Sequence, residues 1–243
     1  MSHDAQLIIS QKKLALLLGG LAIALPSTLY LGNLYIFGVT HILSSISSYY
    51  HSQMRDVFVG SLFVMGFFLI SYEGYSPFER LFSSLGGVLA LLVALFPTPM
   101  TDQPRELPGT IHLVSAGTFY LILAFFCLFQ FTKSDPNSPK TVRKRIRNFI
   151  YRLAGLVMIA SLVLLILTEL KVLLPPIDTS TFWLEYLANI AFGTAWLIKG
   201  EGIFLLNDDP ILEMNPWEIS GILILLTLAF GSFLMLTNIF IIF

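Results

Sequence analysis

Ser44 to Gly60 reads SSISSYYHSQMRDVFVG, the most polar passage between the first two strongly apolar segments of the chain. It sets Ser44, Ser45, Ser47, Ser48, Tyr49, Tyr50, His51, Arg55 and Asp56 against an apolar run that begins at Val57. A polar and aromatic edge on a long apolar run marks the water-facing end of a membrane helix.

Composition extends that reading to the whole chain. Of 243 residues, 56% are hydrophobic and 12% charged, against about 25% charged in a typical soluble domain. A soluble core has no room for that much apolar surface; a bilayer has. The expected fold is all-α, a polytopic transmembrane helical bundle of about seven helices forming a single domain, 1–243. The net charge of −1 points away from nucleic acid and leaves membrane lipids as the expected partners. Cys127, the single cysteine, lies in an apolar run and reads as a small buried hydrophobe.

A span needs about 20 largely apolar residues. The candidates are Leu14–Leu31, Val57–Tyr72, Leu81–Phe96, Ile111–Phe131, Leu153–Thr168, Phe182–Ile198 and Ile219–Phe243. The second, third and fifth are short, so they should borrow flanking residues. Leu14–Leu31 is longer than a signal-peptide core and no small-x-small cleavage site closes it, so it reads as a retained first helix. Pro26 is expected to kink it or end it early. Phe37–Ile46 is apolar but too short to span and reads as an interfacial or re-entrant segment. Gly19-Gly20 and Gly86-Gly87 read as helix-packing positions.

Charge asymmetry orients the bundle. Lys133–Arg152 holds Lys133, Lys140, Arg143, Lys144, Arg145, Arg147 and Arg152 against one acid, Asp135, and should be a cytoplasmic loop. Counting helices from it places Lys12, Lys13, Arg80 and Lys199 on the same side. Of the 14 Lys and Arg, only Arg55, Arg105 and Lys171 then lie outside. The N-terminus is expected in the cytoplasm and the C-terminus outside.

That topology gathers His51, Arg55, Asp56, His112, Glu169 and Glu185 at the outer level, from separate helices. Ionisable groups at membrane depth are costly and mark pairs or functional sites. Three chemistries fit. His51, Asp56 and His112, with Glu185 as a further donor, are ligand types that zinc accepts, and three ligands with a water would suit hydrolysis. Ser47, four residues before His51, would share a helix face with it. A metal-free polar network would instead pair Asp56 with Arg55 or His51 and bond His112 to a loop carbonyl. A proton or ion relay is the third. No HExxH, HxxxH or CxxC motif selects among them. His41 reads as an interfacial polar group, Tyr49 and Tyr50 as belt aromatics, and Glu73, Arg152, Lys199 and Glu201 as inner-side anchors.

Four blocks fall in order: SISSYYHSQMRDVFVG (Ser45–Gly60), ALFPT (Ala94–Thr98), IHLVSAGTFY (Ile111–Tyr120) and FWLEYLANIAFGTAWLIKGE (Phe182–Glu201). Together they resemble a family of bacterial integral membrane proteins that is a domain of unknown function. The resemblance covers roughly residues 25 to 202. It implies a bundle of six or seven helices in the bacterial inner (plasma) membrane and no established activity. Ser47-x-x-x-His51 followed by Asp56 also resembles the serine, histidine and aspartate signature of the membrane hydrolases that include alkaline ceramidases and progestin/adiponectin-type receptors. That likeness implies a zinc-dependent amidase acting on lipid. The chain departs from it: the aspartate follows the histidine closely, and Ile219–Phe243 holds no histidine. Only His112 could stand in.

Two functional classes therefore stand. One is a lipid hydrolase with His51, Asp56 and His112 around a metal and Ser47 or Ser48 assisting. The other is a non-enzymatic transporter, scaffold or lipid-binding protein.

Overall fold

The computed structural model describes residues 3–74, 76–100, 104, 106–133, 141–170, 172, 179–202 and 206. Six α-helices follow in order: α1 (His3–Tyr35), α2 (Arg55–Ser71), α3 (Pro77–Leu95), α4 (Leu107–Phe125), α5 (Val142–Glu169) and α6 (Ser180–Lys199). A 3-10 turn, Ser47–His51, precedes α2, and a five-residue π turn, Phe126–Gln130, extends α4. The described residues contain no strand. The seventh expected span, Ile219–Phe243, lies outside them.

Each helix packs on the one before and the one after it, and α6 closes back onto α1. The result is a ring in chain order. Two buried clusters fill it. One gathers Tyr72, Phe126, Phe131 and Phe192 around Trp196, with the Tyr72 and Phe131 ring centroids each 5.1 Å from the indole. The other packs Leu29, Tyr30, Tyr49, Phe58, Phe182 and Tyr186 under the serine-rich segment. Outward faces stay apolar, with Phe67, Leu81, Val114, Leu121, Leu156 and Ile166 exposed.

Four helical stretches are long and apolar enough to cross a membrane: Gln11–Tyr35, Pro77–Leu95, Leu107–Gln130 and Val142–Glu169. This makes the chain a membrane protein by length and composition. Helix α2, at 17 residues, is about 26 Å long, just under the hydrocarbon thickness of about 30 Å. Helix α6 is more polar, carrying Glu185 and Asn189.

The structure corrects two expectations. Helix α1 does not end early at Pro26 but continues from His3 to Tyr35. The proline removes one backbone hydrogen bond, but Ala22, Leu25, Leu29 and Tyr30 on the flanking turns are buried and hold the helix in register. The second half of the basic segment is helix rather than loop: α5 starts at Val142, and the Thr141 side chain caps it by accepting from the Lys144 N–H. Asn148 and Tyr151 face inward while Arg143, Lys144, Arg145 and Arg152 do not, so the cations occupy the solvent side of a helical turn. Phe37–Ile46, read as non-spanning, is irregular chain apart from its turns.

Close helix seams rest on glycine. A Cβ at Gly19 would lie 2.7 Å from the Gly193 carbonyl oxygen and 2.7 Å from the Leu197 nitrogen, both backbone atoms of α6. Gly87 meets the Gly66 carbonyl across α2 and α3 in the same way. Gly19→Ala should therefore force α1 and α6 apart and lower stability by about 1–3 kcal/mol, the usual cost of overpacking. Gly60→Ala meets nothing within 4 Å and should be neutral or up to about 1 kcal/mol stabilising. Thermal unfolding of the two purified variants checks the contrast.

Candidate functional site

The serine-rich segment is laid across one end of the bundle by three backbone devices. Gly38, at φ +71°, turns the chain off α1 in the left-handed region that favours glycine. The Val39 N–H then donates to the Asn33 carbonyl at 3.0 Å. Further on, the Phe182 N–H in the first turn of α6 donates to the Ser44 carbonyl at 2.9 Å.

Glu185, one turn into α6, completes the anchorage. Its Oε2 accepts from the Ile46 N–H at 2.6 Å. That N–H is one of the donors that a helical turn leaves unpaired at its start, where negative charge is favoured. Beneath the turn, Tyr49 is fully buried, its ring 6.4 Å from that of Phe182. That burial pushes the Tyr49 phenol up from its ordinary value.

Four serines and a threonine link into one hydroxyl chain. Ser44 Oγ and Ser48 Oγ are 2.9 Å apart, Ser48 and Ser45 2.6 Å, and Ser45 and Ser47 3.0 Å. Ser47 Oγ donates to Thr98 Oγ1 at 3.3 Å. The Thr98 carbonyl accepts from His51 Nε2 at 2.8 Å, and the Phe96 carbonyl accepts from His112 Nδ1 at 2.8 Å. A carbonyl only accepts, so the proton of each imidazole is assigned to that nitrogen. Two imidazoles from different elements thus hold the short segment Phe96–Thr98.

Of the residues singled out in the sequence, Ser47, Ser48, His51, His112 and Glu185 meet in this network. Arg55 and Asp56 do not. Arg55 turns onto Tyr50, donating to its hydroxyl at 3.0 Å with the guanidinium 4.6 Å from the ring centroid. Asp56 is exposed in the first turn of α2, and Glu169 is exposed in the last turn of α5. Among the described residues, no three His, Cys, Asp or Glu side chains group so as to hold a metal ion. The described side chains do not fit the zinc that the hydrolase likeness implies. No serine hydroxyl hydrogen-bonds an imidazole among them either.

Over this network lies an open groove of about 670 Å³, lined by Asn33, His41, Ser48, His51 and Gln53 among others. Sequence reasoning left out Asn33, Gln53 and Thr98. Asn33 is 2% exposed, and its Oδ1 is buried without a hydrogen-bond partner. No local pattern announces it; only the folding of the segment over the end of α1 buries it.

Comparison with family models, with curated proteins and with solved structures finds no match to this chain.

Glu185→Ala removes the acceptor of the buried Ile46 N–H and should cost about 1–3 kcal/mol. Glu185→Gln keeps one acceptor oxygen and should lose less than half of that. Thermal or denaturant unfolding of the two variants, side by side, measures the difference.

Proposed function

We propose that this protein crosses the membrane several times and binds, without chemistry, the polar head of a lipid in the groove at the outer end of its bundle. The observation that carries the reading is the buried, unpartnered amide oxygen of Asn33 beside a groove whose hydroxyls already satisfy one another. A buried polar atom left unpaired costs about 1–3 kcal/mol, and a ligand hydrogen bond would offset it. The apolar linings Leu43 and Met100 suit the start of an acyl chain. His51 is engaged by a carbonyl and no serine is activated, which favours binding over hydrolysis.

Gln53 is exposed and lines the groove, so Gln53→Trp fills it without touching the hydroxyl chain. A phospholipid with a diazirine near the head of its acyl chain should label residues 39–53 and 99–100 of the reconstituted protein, and Gln53→Trp should reduce that labelling several-fold. Labelling spread evenly over the apolar belt, unchanged by Gln53→Trp, sinks the proposal.

The orientation belongs to the same proposal: seven spans in the plasma membrane of a bacterium, N-terminus in the cytoplasm. Its support is the segregation of Lys12, Lys133, Lys144 and Lys199 at the end opposite the groove, where Lys12 pairs with Glu201 and Lys133 with Glu79 at 3.3 Å. Cys127 is buried, so Cys127→Ala gives a clean background. In intact cells an impermeant maleimide should label Gln53→Cys and spare Arg145→Cys; the reverse pattern inverts the topology.

A further inference from the structure

We infer that the head accepted by the groove is an uncharged polyol, a sugar-like group with neighbouring hydroxyls; the inference rests on the lipid-binding reading and names its ligand class. None of the described lining residues carries a fixed charge. Two ionisable side chains near the lining are engaged elsewhere. Glu185 holds the Ile46 N–H, and Arg55 is folded onto Tyr50. Among the described lining residues a phosphate head meets no lysine or arginine, and an ammonium head no carboxylate.

What the lining offers is two-way hydrogen bonding. Asn33 and Gln53 are carboxamides, each with an acceptor oxygen and a donor N–H₂, Ser44, Ser48 and Ser52 are hydroxyls, and His41 and His51 are imidazoles. Hydroxyls on adjacent carbons, each donor and acceptor, match a carboxamide such as that of Asn33. The apolar walls match the C–H faces of a ring. A volume of about 670 Å³ lies within the span of small-molecule sites, about 300–1,000 Å³.

The test uses the full chain in phosphatidylcholine nanodiscs, purified without sugar-headed detergent. It is exchanged against vesicles holding equal glucosyl-diacylglycerol and phosphatidylglycerol, and retained lipid is identified by native mass spectrometry. Glucosyl-diacylglycerol should be enriched about tenfold over phosphatidylglycerol. Asn33→Leu should abolish the enrichment while leaving the melting temperature level or higher, because it replaces an amide whose oxygen is buried and unpaired with a hydrocarbon of similar size; an amide needed only for folding would lower it. Displacement of the glucosyl lipid by free maltose supports the polyol class with a soluble source, and no displacement supports it with a lipid source. Phosphatidylglycerol retained as well as the glucosyl lipid, and lost in Gln53→Trp, overturns the polyol class and leaves the lipid-binding reading standing. Enrichment unchanged in Asn33→Leu overturns the assignment of that amide. Retention of either lipid unaffected by Gln53→Trp overturns both.

Discussion

The bond from the Ile46 N–H to the Glu185 carboxylate is the constraint on which the groove end of the bundle depends. Chain that leaves a helix near a membrane has to satisfy its backbone donors within the protein. The serine-rich segment meets that demand reciprocally. Its Ser44 carbonyl accepts an N–H left over at the start of α6, and α6 returns a carboxylate to the Ile46 N–H that opens the 3-10 turn. The exchange resembles a capping box drawn between two distant segments. It fixes the turn over α6, and with it the positions of Ser47, Ser48 and His51.

The two ends of the ring solve the problem of burying polar groups differently. Beyond the Glu185 carboxylate, the serine-rich end uses neutral groups: five hydroxyls in series and two imidazoles on carbonyls. Such a chain satisfies itself at little desolvation cost, because no ion leaves water. The opposite end uses ions. Glu79 is 3% exposed and meets Lys133, Lys12 meets Glu201, and the Lys199 ammonium sits 5.4 Å from the Phe131 ring centroid. Removing one partner of a buried ion pair leaves a charge uncompensated, so that end is stiff toward substitution, whereas the neutral end can exchange one hydrogen-bond partner for another. The end that can exchange partners is the one that carries the groove.

Much of this was legible in the sequence because bilayer length and helix alternation are coarse constraints. Six of the seven apolar runs are helices among the described residues, and counting them brought His51, His112 and Glu185 to one end. Gly19 and Gly87 read as packing positions and do line seams. What was not legible depends on burial or on local direction. Pro26 forbids one hydrogen bond, but only the packed flanks of α1 show that the helix survives it. The charges of 143–152 hide an amphipathic turn whose inward residues are Asn148 and Tyr151. Asp56 lies five residues from His51, yet the chain changes from a 3-10 turn to α2 between them and sends the carboxylate outward. Glu79 had a readable signal in Ser76-Pro77-Phe78-Glu79, a cap with proline in the first turn; the Ser76 side chain accepts from the Glu79 N–H. Its pairing with Lys133 had none.

Asn33 shows why an unpaired amide is informative here. An asparagine in the last turn of a helix ordinarily serves the free carbonyls or the turn that follows. In α1 that work is done by backbone alone: Ile36 N–H to the Gly32 carbonyl, Gly38 N–H to that of Leu34, and Val39 N–H to that of Asn33 itself. The side chain is therefore redundant for ending the helix, and its oxygen is buried with nothing to accept from. A leucine there would keep the volume and remove an unpaired polar atom. The fold does not need the amide, and it sits in the lining of the groove, beside hydroxyls already bonded to one another. Under the lipid-binding proposal, a bond completed only when the groove is filled accounts for both facts.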